Sequence, residues 1–149
     1  MKKHYLKTWN SKLKNSTKLD LYDSIKENYE IEDYLTSIRN FEQRRYFTKM
    51  RTSNHKLAIE TGRYIRQKIE DRLCVFCNQN QVETEEHMLL KCSLYSNLRK
   101  ELFSKISGTI DTNNLQANAL LKAKHQTSYY VSRFILKAFE LRNSKILNF

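Results

Sequence analysis

The chain has 149 residues, enough for one domain with a modest core and too few for two of ordinary size. Glycine occurs twice and proline not at all, which removes the two residues that most often interrupt helices and points to an all-α fold. Lys and Arg number 27 against 16 Asp and Glu, a formal charge of +11, so a polyanion is the expected partner and nucleic acid the first candidate.

No apolar run approaches the ~18 residues that span a bilayer, and MKKHYLKTWN lacks the apolar stretch of a secretory signal, so no membrane partner is expected. Three cysteines are too few, and odd in number, for a disulfide scaffold. They argue for an intracellular, reducing compartment, with nucleus and cytoplasm both open.

Residues 1–16 carry Lys2, Lys3, Lys7, Lys12 and Lys14 and no acid. They read as a loosely held basic arm or frayed helix ahead of a single helical domain over 17–149. Thr17, with Asp20 three residues on, reads as a helix start continued by Leu21, Ile25 and Tyr29 on one stripe. Residues 30–38 read as a short acidic connection containing Tyr34, Leu35 and Ile38. The segment 39–51 reads as a basic helix with Tyr46, Phe47 and Met50 on one face and Arg45 and Lys49 on the next. Gly62 reads as a turn or helix end within the less periodic stretch 52–72, and His55 as a surface or capping residue.

Thr84, followed by Glu85 and Glu86, reads as a helix start with acids where the dipole favours them. Leu94, Leu98 and Leu102, with Tyr95 and Ile106 alongside, mark an amphipathic helix that stops at Gly108. Leu115, Ala119 and Leu120 suggest a short helix. The clearest helix covers 128–147: Val131, Phe134, Ile135, Ala138, Phe139 and Leu141 fall on one side, Arg133, Lys137, Glu140 and Ser144 on the other. That apolar stripe reads as core, with a protein partner or self-association as its other use. Four to six helices are expected.

All three cysteines fall between 74 and 92, in the pattern C-x2-C-x9-H-x4-C formed by Cys74, Cys77, His87 and Cys92. A C-x2-C turn sets two sulfurs on one side of an ion, and a close His/Cys pair closes the other side. Three thiolates and one imidazole fill a tetrahedron and leave no open position, so the expected ion is zinc in a structural, non-catalytic role. A redox C-x-x-C lacks a surrounding thioredoxin-like strand pattern. A Cys–His nucleophile pair lacks an orienting acid and an oxyanion loop.

Cys74-Val-Phe-Cys77, followed by Val82-Glu-Thr-Glu-Glu-His87-Met-Leu-Leu-Lys-Cys92-Ser-Leu-Tyr95, resembles the zinc-binding segment near the C-terminus of non-LTR retrotransposon reverse transcriptases. The upstream stretch from Lys49 to Tyr64 is similar to the segment that precedes this knuckle in animal retroelement polyproteins. The resemblance spans roughly residues 17–107 and is clearest over 49–95. It departs at Ser93, where family members often carry proline, and in the absence of any adjacent pair of aspartates, which the polymerase centre needs for its metal ions. The resemblance therefore implies a zinc knuckle from a reverse transcriptase tail, without the catalytic core and without enzyme activity of its own.

Residues 39–72 hold ten Lys and Arg against four acids. Arg44, Arg45, Lys49, Arg51, Arg63, Arg66, Lys68 and Arg72 are the candidates for phosphate contacts, and Phe76, between two ligands, for stacking on a base. RNA or single-stranded DNA is the expected polymer. Tyr46 and Phe47 fit core packing better than base stacking.

Overall fold

The computed structural model describes residues 2–147, the Lys2 side chain excepted; Met1 and residues 148–149 of the expected domain lie outside the described residues. Among the described residues eight α-helices follow one another: α1 (Lys2–Lys14), α2 (Asp20–Ile25), α3 (Tyr34–Ser37), α4 (Phe41–Arg51), α5 (Ala58–Tyr64), α6 (Ser96–Ile106), α7 (Ala117–Leu121) and α8 (His125–Ile146). The fold is all-α, as composition implies, with more and shorter helices than periodicity suggests. Among the described residues the only strand-like pairing is one antiparallel bridge between Leu73 and Val82. No helix among them is long and apolar enough to cross a membrane.

Helix α8 is the organising element. It packs on α4, α6 and α3, and Val131, Phe134, Ile135, Ala138 and Phe139 from its apolar stripe are all buried. Phe47 and Met50 of α4 and Leu102 and Ile106 of α6 complete the same core. Asn40 starts α4, its side-chain oxygen accepting the Gln43 backbone N–H at 3.0 Å. No side chain of its own caps α8. Asp33 does so from a distance, accepting the His125 N–H at 2.8 Å, and that bond holds its carboxyl below the usual carboxylate range.

The N-terminal segment takes the helical form of its two alternatives, and three other local readings change. The basic arm is helical, and its Leu13 is buried while Tyr5 and Trp9 pack edge-on against Tyr29. The helix expected from Thr17 begins as a 3-10 turn, Thr17–Leu19, and stops at Ile25, so Tyr29 lies beyond it. The acidic connection contains α3, whose Tyr34 packs on Phe47. His55 is buried, with Nε2 2.9 Å from Glu85 Oε1 and Nδ1 accepting the Leu57 N–H.

Gly62 ends no helix; it lies inside α5 and is needed there for close approach. A Cβ at this position would fall 2.6 Å from Arg72 Cδ and 2.7 Å from its Cγ and Nε. The Arg72 side chain has little room to move, since its guanidinium donates to Ile59 O at 2.7 Å and Gln67 O at 2.6 Å. Gly62→Ala should therefore destabilise by about 1–3 kcal/mol through overpacking, despite alanine's better helix propensity. Urea denaturation measures this, and an unchanged or raised midpoint would show that Arg72 swings aside without cost.

Candidate metal centre

Cys74 and Cys77 sit on a short hairpin. Its two arms are joined where Cys74 N–H donates to Gln81 O at 2.8 Å and Glu83 N–H donates to Arg72 O at 2.9 Å. Asn80, at φ 53°, supplies the left-handed residue that turns the chain back, a conformation asparagine tolerates better than most. The hairpin thus presents both sulfurs of the C-x2-C pair towards the segment that follows.

His87 and Cys92 come from a single π-turn, His87–Lys91. Thr84 opens it, its hydroxyl accepting the His87 N–H at 3.0 Å. On α-helical spacing of about 100° per residue, Cys92 would lie ~140° around the axis from His87 and face away from it. The Cys92 N–H instead bonds to His87 O at 2.7 Å, an i→i+5 closure that widens the turn and returns the cysteine to the histidine's side. The four-residue spacer of H-x4-C is matched to this wider turn.

The four ligand atoms of Cys74, Cys77, His87 and Cys92 all lie within 4.8 Å of one another. Cys74 Sγ is 3.8 Å from Cys92 Sγ, and Cys77 Sγ is 3.3 Å from His87 Nε2. Metal–sulfur bonds of ~2.3 Å in a tetrahedron place sulfurs about 3.8 Å apart, which is the length of the Cys74–Cys92 edge. The other ring nitrogen, His87 Nδ1, is 3.2 Å from Gln81 Oε1. A proton on Nδ1 donated to that amide leaves Nε2 as the lone-pair donor to the ion. The residues present can hold one metal ion, and a soft, fully protein-supplied donor set fits zinc.

Cys74, His87 and Cys92 are buried, and Cys77 is half-exposed. Burial pushes the Cys74 thiol up to about 12 and the Cys92 thiol in the same direction. Burial also holds the His87 imidazole below its ordinary value, which keeps it neutral and ready to ligate. Three carbonyls at the end of the π-turn are taken up by Arg99, which donates to Leu89 O at 2.8 Å, Cys92 O at 2.9 Å and Met88 O at 3.2 Å.

Gln81 and Arg99 escape the sequence reading, and so do Glu83 and Arg142. Glu83 accepts both Arg142 donors, at 2.8 and 2.9 Å, and Arg142 lies 5.1 Å over the Phe76 ring. Arg142 had a visible signal. It continues the buried stripe of Ile135, Ala138 and Phe139, and an arginine in a core register implies a buried acid. Gln81 and Arg99 carry no such mark.

The cationic candidates divide. Arg51 is buried and donates to Leu121 O and, at 2.8 Å, to Glu32 Oε2. Arg72 is buried against Gly62. Arg44 donates to Ile38 O at 2.7 Å, and Arg63 spans Glu60 and Thr17. These four tie the fold together. Arg45, Arg66 and Lys68 are exposed and Lys49 is partly so. Phe76 is half-buried and packed on the core, with the Arg142 guanidinium 5.1 Å over its ring. No family model, curated protein or solved structure matches the chain.

Proposed function

We propose that this chain is a non-catalytic zinc-binding module, resembling the reverse transcriptase tail of a retroelement, that binds RNA or DNA through a basic surface. The convergence of three sulfurs and one imidazole within 4.8 Å is the observation that carries the zinc reading. Four donors from the protein complete the coordination shell, so the ion positions the hairpin and the π-turn and has no site for a substrate. The nucleic-acid reading is supported by the formal charge of +11 and by the cations that point outward, Arg45, Lys49, Arg66 and Lys68. The apolar stripe of α8, which would have served a protein partner, lies in the core, with Phe134 and Ile135 buried. It supports no second reading.

Filter binding against salt tests the nucleic-acid half. Four phosphate contacts on a single strand predict a slope of about −3 in log K against log salt, roughly a fiftyfold loss between 50 and 200 mM. Affinity independent of salt, or no retention of RNA or single-stranded DNA at low salt, would rule it out.

A further inference from the structure

A groove of about 610 Å³ opens between α4, the loop that follows it, α5 and the end of α8. Three cations line it: Arg45 and Lys49, one turn apart on α4, and Lys56 from the loop. No carboxylate is among its lining residues; Glu42 touches Arg45 from the rim at 3.4 Å, and Glu85 reaches His55 from behind the floor. The floor is aromatic. Tyr46 packs against Phe139 at 5.2 Å between ring centres, and the Lys49 ammonium stands 5.4 Å from the Tyr46 ring. Tyr64, at the end of α5, is 78% exposed on the far wall. Asn54 and Asn143 add side-chain amides that donate and accept.

We propose that this groove seats unpaired bases of single-stranded nucleic acid, with a base stacked on Tyr64 and the backbone phosphates held by Arg45, Lys49 and Lys56. The proposal rests on the nucleic-acid reading above and says which surface performs it. Charge, aromatic surface and size each contribute. Cations without lining acids favour a polyanion. An exposed ring beside them offers every base a sequence-tolerant platform. A volume within the ~300–1,000 Å³ of ordinary ligand clefts admits a splayed base and excludes a duplex. The cations do not converge on one point: Arg45 and Lys49 lie about 6 Å apart along α4, and Lys56 stands on another element. That layout follows a chain of phosphates better than the single phosphate of a free nucleotide.

Fluorescence anisotropy of the full chain with labelled oligo(U), oligo(dT) and a blunt duplex of equal length tests the assignment. Either single strand should bind more tightly than the duplex. Tyr64→Ala should weaken single-strand binding about tenfold while Tyr64→Phe keeps it, because stacking needs the ring and not the hydroxyl. Lys49→Ala combined with Lys56→Ala should reduce the salt slope by about 1.4, which reports two lost phosphate contacts. Circular dichroism confirms that each variant folds; Tyr64 and Lys56 are exposed, so folding should be unaffected. Wild-type binding unchanged by Tyr64→Ala, a preference for the duplex, or displacement by micromolar UMP would each overturn the groove and leave the nucleic-acid reading standing. Failure of the wild type to bind any oligonucleotide at low salt would overturn both.

Discussion

Protein purified without chelator should contain one zinc per chain, and Cys92→Ser should lose it. Cys92 is the ligand whose loss should do most harm, because its sulfur is fully buried in the core, where a serine hydroxyl would be stranded without a metal. A closed structural zinc site contributes on the order of 10 kcal/mol. That is comparable to the ~5–15 kcal/mol by which a whole domain is stable, so chelation should lower the melting midpoint steeply and leave a metal-free fold of small residual stability. Gln81→Ala should keep the stoichiometry and weaken zinc affinity by about 10–100-fold, since it removes only the acceptor that orients His87. The pH dependence separates the two states by sign. Without metal, burial holds Cys74 and Cys92 as thiols in the folded chain, Cys74 up to about 12. Unfolding releases them to ionise near the ordinary thiol value of ~8.5, so metal-free stability is full below that value and falls as pH rises above it. With zinc the folded state holds thiolates, so stability rises with pH up to the same value and falls on acidification. A metal-free wild type that melts cooperatively with the same pH profile as the zinc-treated sample would exclude the site.

The four ligands were legible because their chemistry is local: a C-x2-C turn and an H-x4-C turn each fix a pair within a few residues. The long helices were legible for a related reason. Phe47 and Met50 in α4, Leu98 and Leu102 in α6, and Val131, Ile135 and Ala138 in α8 repeat at helical spacing. The misreadings share a cause, which is that the deciding partner is remote in sequence. Gly62 resembles a helix end until Arg72 is placed against it. Arg51 and Arg72 count as surface charge until Leu121 and Glu32, Ile59 and Gln67 accept their hydrogen bonds. Arg51 gave one warning, since it extends the Phe47 and Met50 stripe and so stands in a core register. The groove was invisible for the same reason, because Arg45, Lys56, Tyr64 and Asn143 come from four separate segments.

Glu83→Ala and Arg142→Ala should each destabilise the chain by about 3–5 kcal/mol while zinc stays at one per chain. Both side chains are buried, 3% and 9% exposed, and they meet in a two-bond pair. Removing either strands a charge away from water, and that desolvation, more than any lost attraction, sets the size of the effect. Glu83 also ties three segments together. Its carboxylate accepts the Ala58 N–H at 2.7 Å at the start of α5, its carbonyl accepts the Ile59 N–H, and its own N–H closes the hairpin on Arg72. Arg142 brings α8 to the same point and covers Phe76, between the two hairpin cysteines. The ion pair is therefore the joint between the cysteine hairpin and the helical core. Since neither residue is a ligand, its loss should loosen the hairpin from α8 without emptying the site. Replacing both, Glu83→Leu with Arg142→Met, should recover most of the loss, because no charge is left stranded and the apolar pair fills similar volume. About 1 kcal/mol should remain lost, the cost of the uncapped α5 terminus. Urea melts of the two single variants and the double close the cycle. A coupling energy near zero, with the double as damaged as the two singles together, would show the joint to be incidental and the core to hold the hairpin by packing alone.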